Sequence, residues 1–215
     1  EKITMNEHYP FILEPLPYSY SDLEPYIDTK TVEVHHDRHL KTYVDNLNKA
    51  LEDLPMYQSW SLERLILQNQ MLPRKIQKTV FNNAGGVFNH NFYFQMLNGN
   101  AVKLSESPLS KAIDKSFGTF DSFLNEFKQA ALDVFGSGYA WLLAEPNGRL
   151  NIVTTANQDT ALQFRGCKIL VIDVWEHAYY LKNLNKRANY IDNIFHLFDW
   201  EKAEKLYIDC LRQIG

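Results

Sequence analysis

The sequence predicts an α+β fold, in which an N-terminal helical hairpin domain is followed by a C-terminal domain with a small three-stranded antiparallel sheet surrounded by helices. Two observations predict this fold. Apolar residues recur at three- and four-residue steps through most of the first half, which is the period of amphipathic helices. After the Gly-Ser-Gly of residues 136–138, the pattern changes to short apolar and β-branched runs that are typical of strands. We place the domains at residues 1–100 and 101–215, with the boundary near 98–107.

The first half is predicted to hold an arm and three helices. Residues 1–27 are rich in proline and tyrosine, and because proline interrupts a helix they predict an extended arm laid over the body. A long helix then begins with a cap near Asp28 or Thr29. The apolar pattern predicts the other two helices at about 60–72 and 75–97.

A pair of glycines, Gly85 and Gly86, interrupts the third of these helices. Glycine in a helix interior costs around 1 kcal/mol relative to alanine. Its presence there therefore indicates that a bulky group approaches the helix closely, and we expect such a contact at this pair.

The second half is predicted from capping residues and from strand-like runs. Helix starts are predicted at Ser107-Pro108, Thr119 and Asp199. Strands are predicted at residues 139–144, 150–154 and 168–174. The Glu-Pro-Asn-Gly of residues 145–148 predicts a hairpin turn between the first two strands.

Composition and charge limit the class of function. With 215 residues and 45% apolar content, the chain can bury a substantial core. The formal net charge of -4 argues against a general nucleic-acid binder, which needs a clustered basic surface. No apolar run approaches the roughly 20 residues that span a bilayer, so we expect no membrane span. No stretch has the pattern of a signal peptide, and the sequence leaves the location open between the cytoplasm and, after removal of an upstream signal, the cell surface or exterior.

The two cysteines are predicted to be unpaired. Cys167 and Cys210 are too few for a disulfide framework and lack the close spacing of zinc-binding pairs. Cys167 opens a predicted buried strand, and Cys210 falls on the apolar face of the last predicted helix. We therefore expect two packed thiols.

The most informative stretch for chemistry is residues 173–180, Asp-Val-Trp-Glu-His-Ala-Tyr-Tyr, at the end of the third predicted strand. It contains Asp173 and His177, a carboxylate and an imidazole four residues apart. A single pair of this kind is common and usually structural. A metal site at this strand end therefore needs partners from elsewhere in the chain.

Histidines of the predicted helices are the candidate partners. They are His35, His36, His39 and His90. Three imidazoles with one carboxylate form a site rich in nitrogen and oxygen and without thiolate, which suits manganese or iron better than structural zinc. The residues themselves thus predict a mononuclear redox-metal site.

The chain resembles the iron/manganese superoxide dismutase family over nearly its whole length. The motifs that carry the resemblance are residues 16–20 (Leu-Pro-Tyr-Ser-Tyr), 35–39 (His-His-Asp-Arg-His), 82–90 (Asn-Asn-Ala-Gly-Gly-Val-Phe-Asn-His), 136–138, 156–159 (Ala-Asn-Gln-Asp) and 173–180. The last of these matches the family's most specific motif without a change. Several motifs in the right order form a far stronger signal than one short pattern.

The resemblance implies a set of site residues. The implied metal ligands, for one ion per subunit, are His35, His90, Asp173 and His177. The implied catalytic residues are Tyr43, His39 and Gln158, with the first two at the mouth of the active-site channel. His36 is then a neighbour of the site, and Trp141 and Trp175 wall the pocket.

The resemblance also implies an interface between two subunits. Glu176 would reach the ligand His177 of the partner, and Tyr180 would reach its His39. Such mutual contacts fit the two-fold symmetry of a homodimer. A homotetramer of two dimers is the alternative assembly.

Manganese is the predicted metal, with iron or mixed use as the alternative. In the family, iron enzymes tend to supply a glutamine where this chain has Gly86, whereas manganese enzymes supply it at the position of Gln158. Both positions here follow the manganese pattern. Residues 87–88 look more like the iron type, and Tyr139 and Phe94 stand where tryptophan is usual.

The implied function is that of an oxidoreductase with superoxide as its substrate. Two superoxide anions become dioxygen and hydrogen peroxide while the metal alternates between +3 and +2. An acidic protein that acts on an anion needs local positive potential near its channel, and Arg38 and Arg187 are the candidates. The alternatives from other classes are a non-haem iron oxygenase-like enzyme, a metal hydrolase, and a structural or coat protein that keeps the fold.

Overall fold

The structure, a computed structural model, describes residues 6–213. Within this range an N-terminal helical part is followed by a part in which helices surround a small antiparallel sheet. The predicted α+β fold is therefore confirmed. Over the same residues, no helix combines the length and the apolar character that a membrane crossing requires.

The helices of the first half are α1 (Thr29–Val34), α2 (Lys41–Leu51), α3 (Leu62–Leu67) and α4 (Arg74–Gln95). A π-helical turn, His35–Leu40, joins α1 to α2, and together they form the long helix that the sequence predicts. Asp28 is its N-cap, because its side chain accepts a hydrogen bond from the backbone N–H of Thr31.

The helix predicted at about 60–72 is shorter than expected. α3 ends at Leu67, and a 3-10 turn at Asn69–Met71 follows it. The side-chain amide of Asn69 donates to the backbone carbonyls of Leu65 and Gln77, at 3.4 and 2.9 Å. An asparagine that bonds to nearby backbone in this way competes with helix continuation.

Residues 6–27 form an arm that lies against the helical part. The side chain of Asn48 on α2 exchanges two hydrogen bonds with the backbone of Phe11, at 2.8 and 2.7 Å. The hydroxyl of Tyr18 donates to the carbonyl of Phe94 on α4, at 2.9 Å. The part of the predicted arm at residues 1–5 lies outside the described residues.

The second half contains five helices and three strands within residues 6–213. The helices are α5 (Pro108–Phe117), α6 (Phe120–Asp133), α7 (Tyr180–Asn183), α8 (Arg187–Ile194) and α9 (Trp200–Arg212). The strands are β1 (Gly138–Ala144), β2 (Leu150–Ala156) and β3 (Cys167–Asp173). Ser107, Thr119 and Asp199 each cap a helix, as predicted. The sequence did not indicate α7 and α8, which are short and have no side-chain cap.

The central strand β1 pairs antiparallel with β2 on one side and with β3 on the other. Helices α4 and α9 pack against β3, while α6 packs against β1 and β2. In the β1–β3 register, Tyr139 lies opposite Asp173. The packing of α4 on β3 therefore connects the helical half of the molecule to the strand end that carries Asp173.

The prediction of two packed thiols is wrong, because Cys167 and Cys210 form a disulfide. The two residues are 43 positions apart in sequence, but α9 packs along β3 and brings their Cα atoms to 6.0 Å. That separation lies within the range that a disulfide spans. The pairing depends on the tertiary position of α9, which the spacing of two cysteines does not reveal.

Candidate metal centre

The structure brings His35, His90, Asp173 and His177 together. One ligand atom from each lies within 4.8 Å of the others, and only His177 is not fully buried. The π-helical turn supplies His35, α4 supplies His90, and the end of β3 supplies Asp173. His177 comes from a 3-10 turn, Glu176–Ala178, that directly follows the strand.

Asp173 lies at the centre of this cluster. Its Oδ2 is 3.0 Å from Nε2 of His35, 3.3 Å from Nε2 of His177 and 3.7 Å from Nε2 of His90. Its Oδ1 accepts the backbone N–H of Trp175 at 2.9 Å. Burial alone would raise the pKa of Asp173, but the imidazoles of His177 and His35 outweigh this effect and hold the pKa well below its usual range. The group is therefore an ionised carboxylate, as a metal ligand must be.

The contacts of His90 test whether these residues fit a metal ion. Its Nδ1 lies 2.8 Å from the backbone carbonyl of Gly86, so Nδ1 carries the proton and Nε2 carries the lone pair. That Nε2 is buried and has no hydrogen-bond partner among residues 6–213. An unpaired buried acceptor is costly, and a metal ion among the four ligand atoms would satisfy it. The four clustered side chains therefore fit a metal ion.

Burial keeps the two most deeply buried imidazoles of the cluster, those of His35 and His90, neutral. It lowers the pKa of His35 to about 4, although the hydrogen bond to Asp173 acts in the opposite direction. It also holds the pKa of His90 well below the ordinary value, and the neighbouring His35 adds to this effect. At neutral pH both rings are therefore uncharged, which is the form that binds metal.

The metal-free protein should lose stability as the pH falls from about 6.5 to about 4. The pKa of His35 is about 4 in the folded chain against 6.5 for the unperturbed group, so between these values the unfolded chain binds a proton that the folded chain does not. His35 alone should then lower the free energy of unfolding by about 3 kcal/mol over this range, and His90 acts in the same direction. Urea unfolding of metal-free protein at several pH values measures the decrease. The decrease should be smaller in His35→Gln and unchanged in His196→Gln, which removes an exposed histidine. The same decrease in the wild type and in both variants would contradict the assignment to His35.

A hydrogen-bonded pair flanks the cluster on one side. Gln158, which follows β2, is 4% exposed, and its Nε2 donates to the hydroxyl of Tyr43 at 3.0 Å. The Tyr43 ring lies 5.2 Å from the His90 ring between centroids. Burial raises the pKa of Tyr43, so its hydroxyl keeps its proton at neutral pH.

The close contact predicted at Gly85 and Gly86 is present. A Cβ atom on Gly86 would lie 2.5 Å from ring carbons of Tyr43, and one on Gly85 would collide with the backbone carbonyl oxygen of Gln158. Because the Tyr43 ring fills the space beside Gly86, a larger side chain there would have to displace it.

Two aromatic groups stack against the candidate ligand His177. The His39 ring lies 4.4 Å from it between centroids, and the Trp175 ring lies 5.4 Å from it. The indole N–H of Trp175 donates to the carbonyl of Asn157 at 3.1 Å, which fixes the ring. The partly exposed imidazole of His177 is therefore in contact with two other rings.

Other aromatic residues form the inner boundary of the cluster. Phe94 meets the His35 ring edge-on, with centroids 4.9 Å apart. Tyr139 meets the His90 ring edge-on at 6.3 Å. Trp141 lies behind Tyr139, at 5.9 Å, and contacts no ligand ring directly.

His36 and Arg187, both predicted to lie near the site, donate hydrogen bonds to backbone carbonyls. Nε2 of His36 donates to the carbonyl of Glu14 in the arm, at 2.6 Å. The Arg187 guanidinium donates to the carbonyls of Val134 and Gly136, at 2.6 and 2.7 Å, just beyond the end of α6. His36 is thus turned toward the arm, and Arg187 holds the segment that leads into β1.

Two family models match the chain. One describes the α-hairpin domain of iron/manganese superoxide dismutases and matches residues 10–98, and the other describes their C-terminal domain and matches residues 105–206. The chain belongs to the iron/manganese superoxide dismutases. The resemblance that the motifs indicated is therefore confirmed, and the protein is an oxidoreductase of this class.

Individual superoxide dismutases agree with this assignment. "Superoxide dismutase [Mn]" of Thermus aquaticus is 45% identical over 199 residues, which cover 93% of this chain and 98% of the relative. "Superoxide dismutase [Mn] 1" of Leptolyngbya boryana is 42% identical over 206 residues, or 95% of this chain and 83% of the relative. "Superoxide dismutase [Mn]" of Pseudomonas aeruginosa is 43% identical over 202 residues, or 94% and 99%. These matches do not support the alternatives of a coat protein, an oxygenase or a hydrolase.

The sequence did not assign a role to two residues that contact Gln158. Asn89 Nδ2 and the Tyr139 hydroxyl both donate to its Oε1, at 3.1 and 2.8 Å. The signal for Asn89 was its place directly before His90 in the dismutase motif. For Tyr139 the signal was a tyrosine where the family usually has tryptophan.

Proposed function

We propose that this protein is a manganese-dependent superoxide dismutase that holds one ion per subunit through His35, His90, Asp173 and His177. The observation that carries the proposal is the buried Nε2 of His90, which has no hydrogen-bond partner in residues 6–213 and lies among three other ligand atoms. Three imidazoles and one carboxylate suit manganese or iron. Membership of the dismutase family supplies the reaction class.

The choice of manganese over iron is supported by the surroundings of Gly86. The Tyr43 ring occupies the space into which a side chain at position 86 would extend. The amide next to the cluster comes instead from Gln158, which is the manganese pattern of the family. The relatives compared above also carry manganese in their names.

When bound, the manganese ion supplies one-electron chemistry between +3 and +2, through which two superoxide anions become dioxygen and hydrogen peroxide. The protein residues hold the ion and limit access to it. Asp173 is oriented by the backbone N–H of Trp175. The rings of His39 and Trp175 lie against His177, and we assign them to the channel and its wall.

Tyr43 and Gln158 are the proposed proton-handling pair. Formation of hydrogen peroxide consumes protons, so a positioned donor near the metal accelerates the reaction. Because Gln158 donates to the oxygen of Tyr43, this contact does not use the hydroxyl proton of Tyr43, which we assign to another acceptor. The raised pKa of Tyr43 keeps that proton in place at neutral pH.

Arg38 and Arg187 are the proposed sources of positive potential for the superoxide anion. Arg38 is exposed and lies on the π-helical turn that also carries His35 and His39. Arg187 is partly buried, and its hydrogen bonds go to backbone carbonyls and to the hydroxyl of Tyr179, which are neutral, so they leave its charge uncompensated. Local charge of this kind raises the rate at which a charged substrate arrives.

We further propose a homodimer in which the partner completes the site. Glu176 and Tyr180 are exposed beside the cluster, and Tyr180 is 51% exposed although it is a large aromatic residue. Nε2 of His177 faces Asp173 at 3.3 Å, so Nδ1 is the ring nitrogen that can donate away from the cluster. A metal-binding imidazole normally donates its other N–H to an acceptor. The partner's Glu176 would serve as that acceptor.

Glu176→Gln should therefore weaken the dimer and metal retention together. An outer partner of a metal ligand typically contributes 10- to 100-fold in affinity, so we expect manganese to be lost to a chelator about ten-fold faster. Sedimentation measures the dimer, and elemental analysis measures the metal. Glu201→Gln, an exposed glutamate on α9, is the control, and a variant at position 176 that behaves like this control would remove the support for the dimer contact.

The function is tested by assaying the purified protein after reconstitution with manganese, with iron, or with neither. We expect superoxide removal to rise in proportion to the manganese content that elemental analysis finds. Absence of dismutation by the manganese-loaded protein would overturn the proposal. Activity with iron alone would overturn the choice of metal and leave the reaction class in place.

A further inference from the structure

The amide of Gln158 is the centre of a buried chain of hydrogen bonds. Its Nε2 donates to Tyr43, while its Oε1 accepts from Asn89 Nδ2 at 3.1 Å and from the Tyr139 hydroxyl at 2.8 Å. The two ends of a side-chain amide have nearly the same shape but opposite hydrogen-bonding character. The neighbours of Gln158 therefore decide which end faces Tyr43.

Tyr139 alone does not fix which end of the Gln158 amide faces Tyr43. A hydroxyl group donates one hydrogen bond and also accepts. If the amide of Gln158 were inverted, the Tyr139 oxygen could accept from Nε2 at the same place. A tryptophan, which is usual in the family at this position, can only donate and would fix the amide. The tyrosine of this chain removes that constraint.

Asn89 can fix the orientation of the Gln158 amide, because one of its own contacts is a backbone carbonyl. Its Nδ2 donates both to Oε1 of Gln158 and to the carbonyl oxygen of Asp159, each at 3.1 Å. A backbone carbonyl only accepts, so it requires the Nδ2 end of Asn89 on that side. The Tyr139 hydroxyl also lies within hydrogen-bonding reach of Asn89. With Nδ2 fixed on the Asp159 side, an inverted Gln158 would place Nε2, a second donor, against it, whereas Oε1 accepts its hydrogen.

The observed orientation of the Asn89 amide leaves its buried Oδ1 without a hydrogen-bond partner among the described residues, which is unfavourable. Inverting Asn89 would place that oxygen against two other oxygens, those of Asp159 and Gln158. The contacts of Nδ2 therefore outweigh the penalty of one unsatisfied acceptor.

We propose that Asn89 is a positioning residue that fixes the direction of the Gln158 amide, so that Nε2 and not Oε1 faces Tyr43. Tyr139 strengthens the contact without setting its direction. The consequence for turnover rests on the proposed dismutase function: an inverted amide would accept the Tyr43 proton and withdraw it from the reaction. The direction of the amide does not depend on that function.

Neutron diffraction from manganese-loaded crystals distinguishes the two ends of the amide through the deuterium atoms on Nε2. It should be applied to the wild type, Asn89→Ala and Tyr139→Phe. We expect Nε2 to face Tyr43 in the wild type and in Tyr139→Phe, and we expect an inverted or mixed amide in Asn89→Ala. Turnover should show a loss of about ten-fold in kcat for Asn89→Ala with little change in KM, as for outer partners of metal sites. The matched control is Asn83→Ala, which removes an asparagine of α4 whose side chain donates to the carbonyl of Thr79 in its own helix.

The outcomes separate the inference from the proposed function. An inverted amide in Tyr139→Phe, or an unchanged amide and kcat in Asn89→Ala, would overturn the role of Asn89. If Asn89→Ala does not fold, the direction in Tyr139→Phe decides alone, because retention supports Asn89 and inversion excludes it. If the amide directions are as expected but the wild type does not dismutate superoxide, the proposed function fails while the positioning role stands.

Discussion

Asp173→Asn should abolish tight manganese binding and, with it, dismutation of superoxide. Asp173 is fully buried, and it is the only carboxylate in the cluster of four ligand atoms. Replacing it with a neutral amide removes the anionic ligand while the volume stays nearly constant. Loss of an outer partner alone weakens metal sites by 10- to 100-fold, so loss of the carboxylate itself should weaken this one by more than about 100-fold. Elemental analysis after dialysis against a chelator measures the retained manganese.

The control for this experiment is a second buried aspartate. Asp199 is 7% exposed and caps α9 by accepting the backbone N–H of Lys202 at 3.0 Å. Asparagine also caps helices well, so Asp199→Asn should keep its manganese and its activity. Full retention of manganese in both variants would show that Asp173 does not bind the ion, whereas equal loss from both would point to a general effect of changing a buried acid.

The fold class and the members of the metal cluster could be predicted because they depend on local pattern and motif. The capping aspartate at the start of α9 and the change of period after residue 138 are properties of short stretches. His90 and Asp173, by contrast, become neighbours only when α4 packs on β3. The motif order indicated that they belong to one site, but the distances required the tertiary structure. The domain division at residues 100 and 101 stays a prediction.

The details that the sequence did not reveal depend on contacts between distant segments. The π-helical turn at His35–Leu40 has no signature in composition, although such turns are often found at functional sites. The role of Asn89 depends on the carbonyl of Asp159, which is 70 residues away. Arg187 likewise bonds to carbonyls more than 50 positions earlier in the chain. A backbone carbonyl is present at every residue, so sequence does not indicate which one a side chain will meet.

The Cys167–Cys210 disulfide should contribute a large part of the stability of the protein. The bond joins positions 43 residues apart and so closes a long loop. Constraining the unfolded chain over a loop of this length is worth about 4 kcal/mol at 25 °C in the chain-entropy description. For a chain of this size, the melting temperature should fall by roughly 8–16 °C when the bond is absent. Thermal unfolding of the Cys167→Ser/Cys210→Ser variant, compared with the oxidised wild type, measures the difference.

The reduced wild type is the necessary control, because serine also changes packing at Cys210, which is 3% exposed. Reduction keeps both sulfur atoms in place, so any difference between reduced and oxidised protein comes from the bond itself. Manganese content at 25 °C should be equal in the two forms, since Cys167 is the first residue of β3 and the proposed ligand Asp173 is the last. Equal melting temperatures before and after reduction would show that the bond does not stabilise the fold. A parallel loss of metal and stability would instead show that β3 transmits the constraint to the metal site.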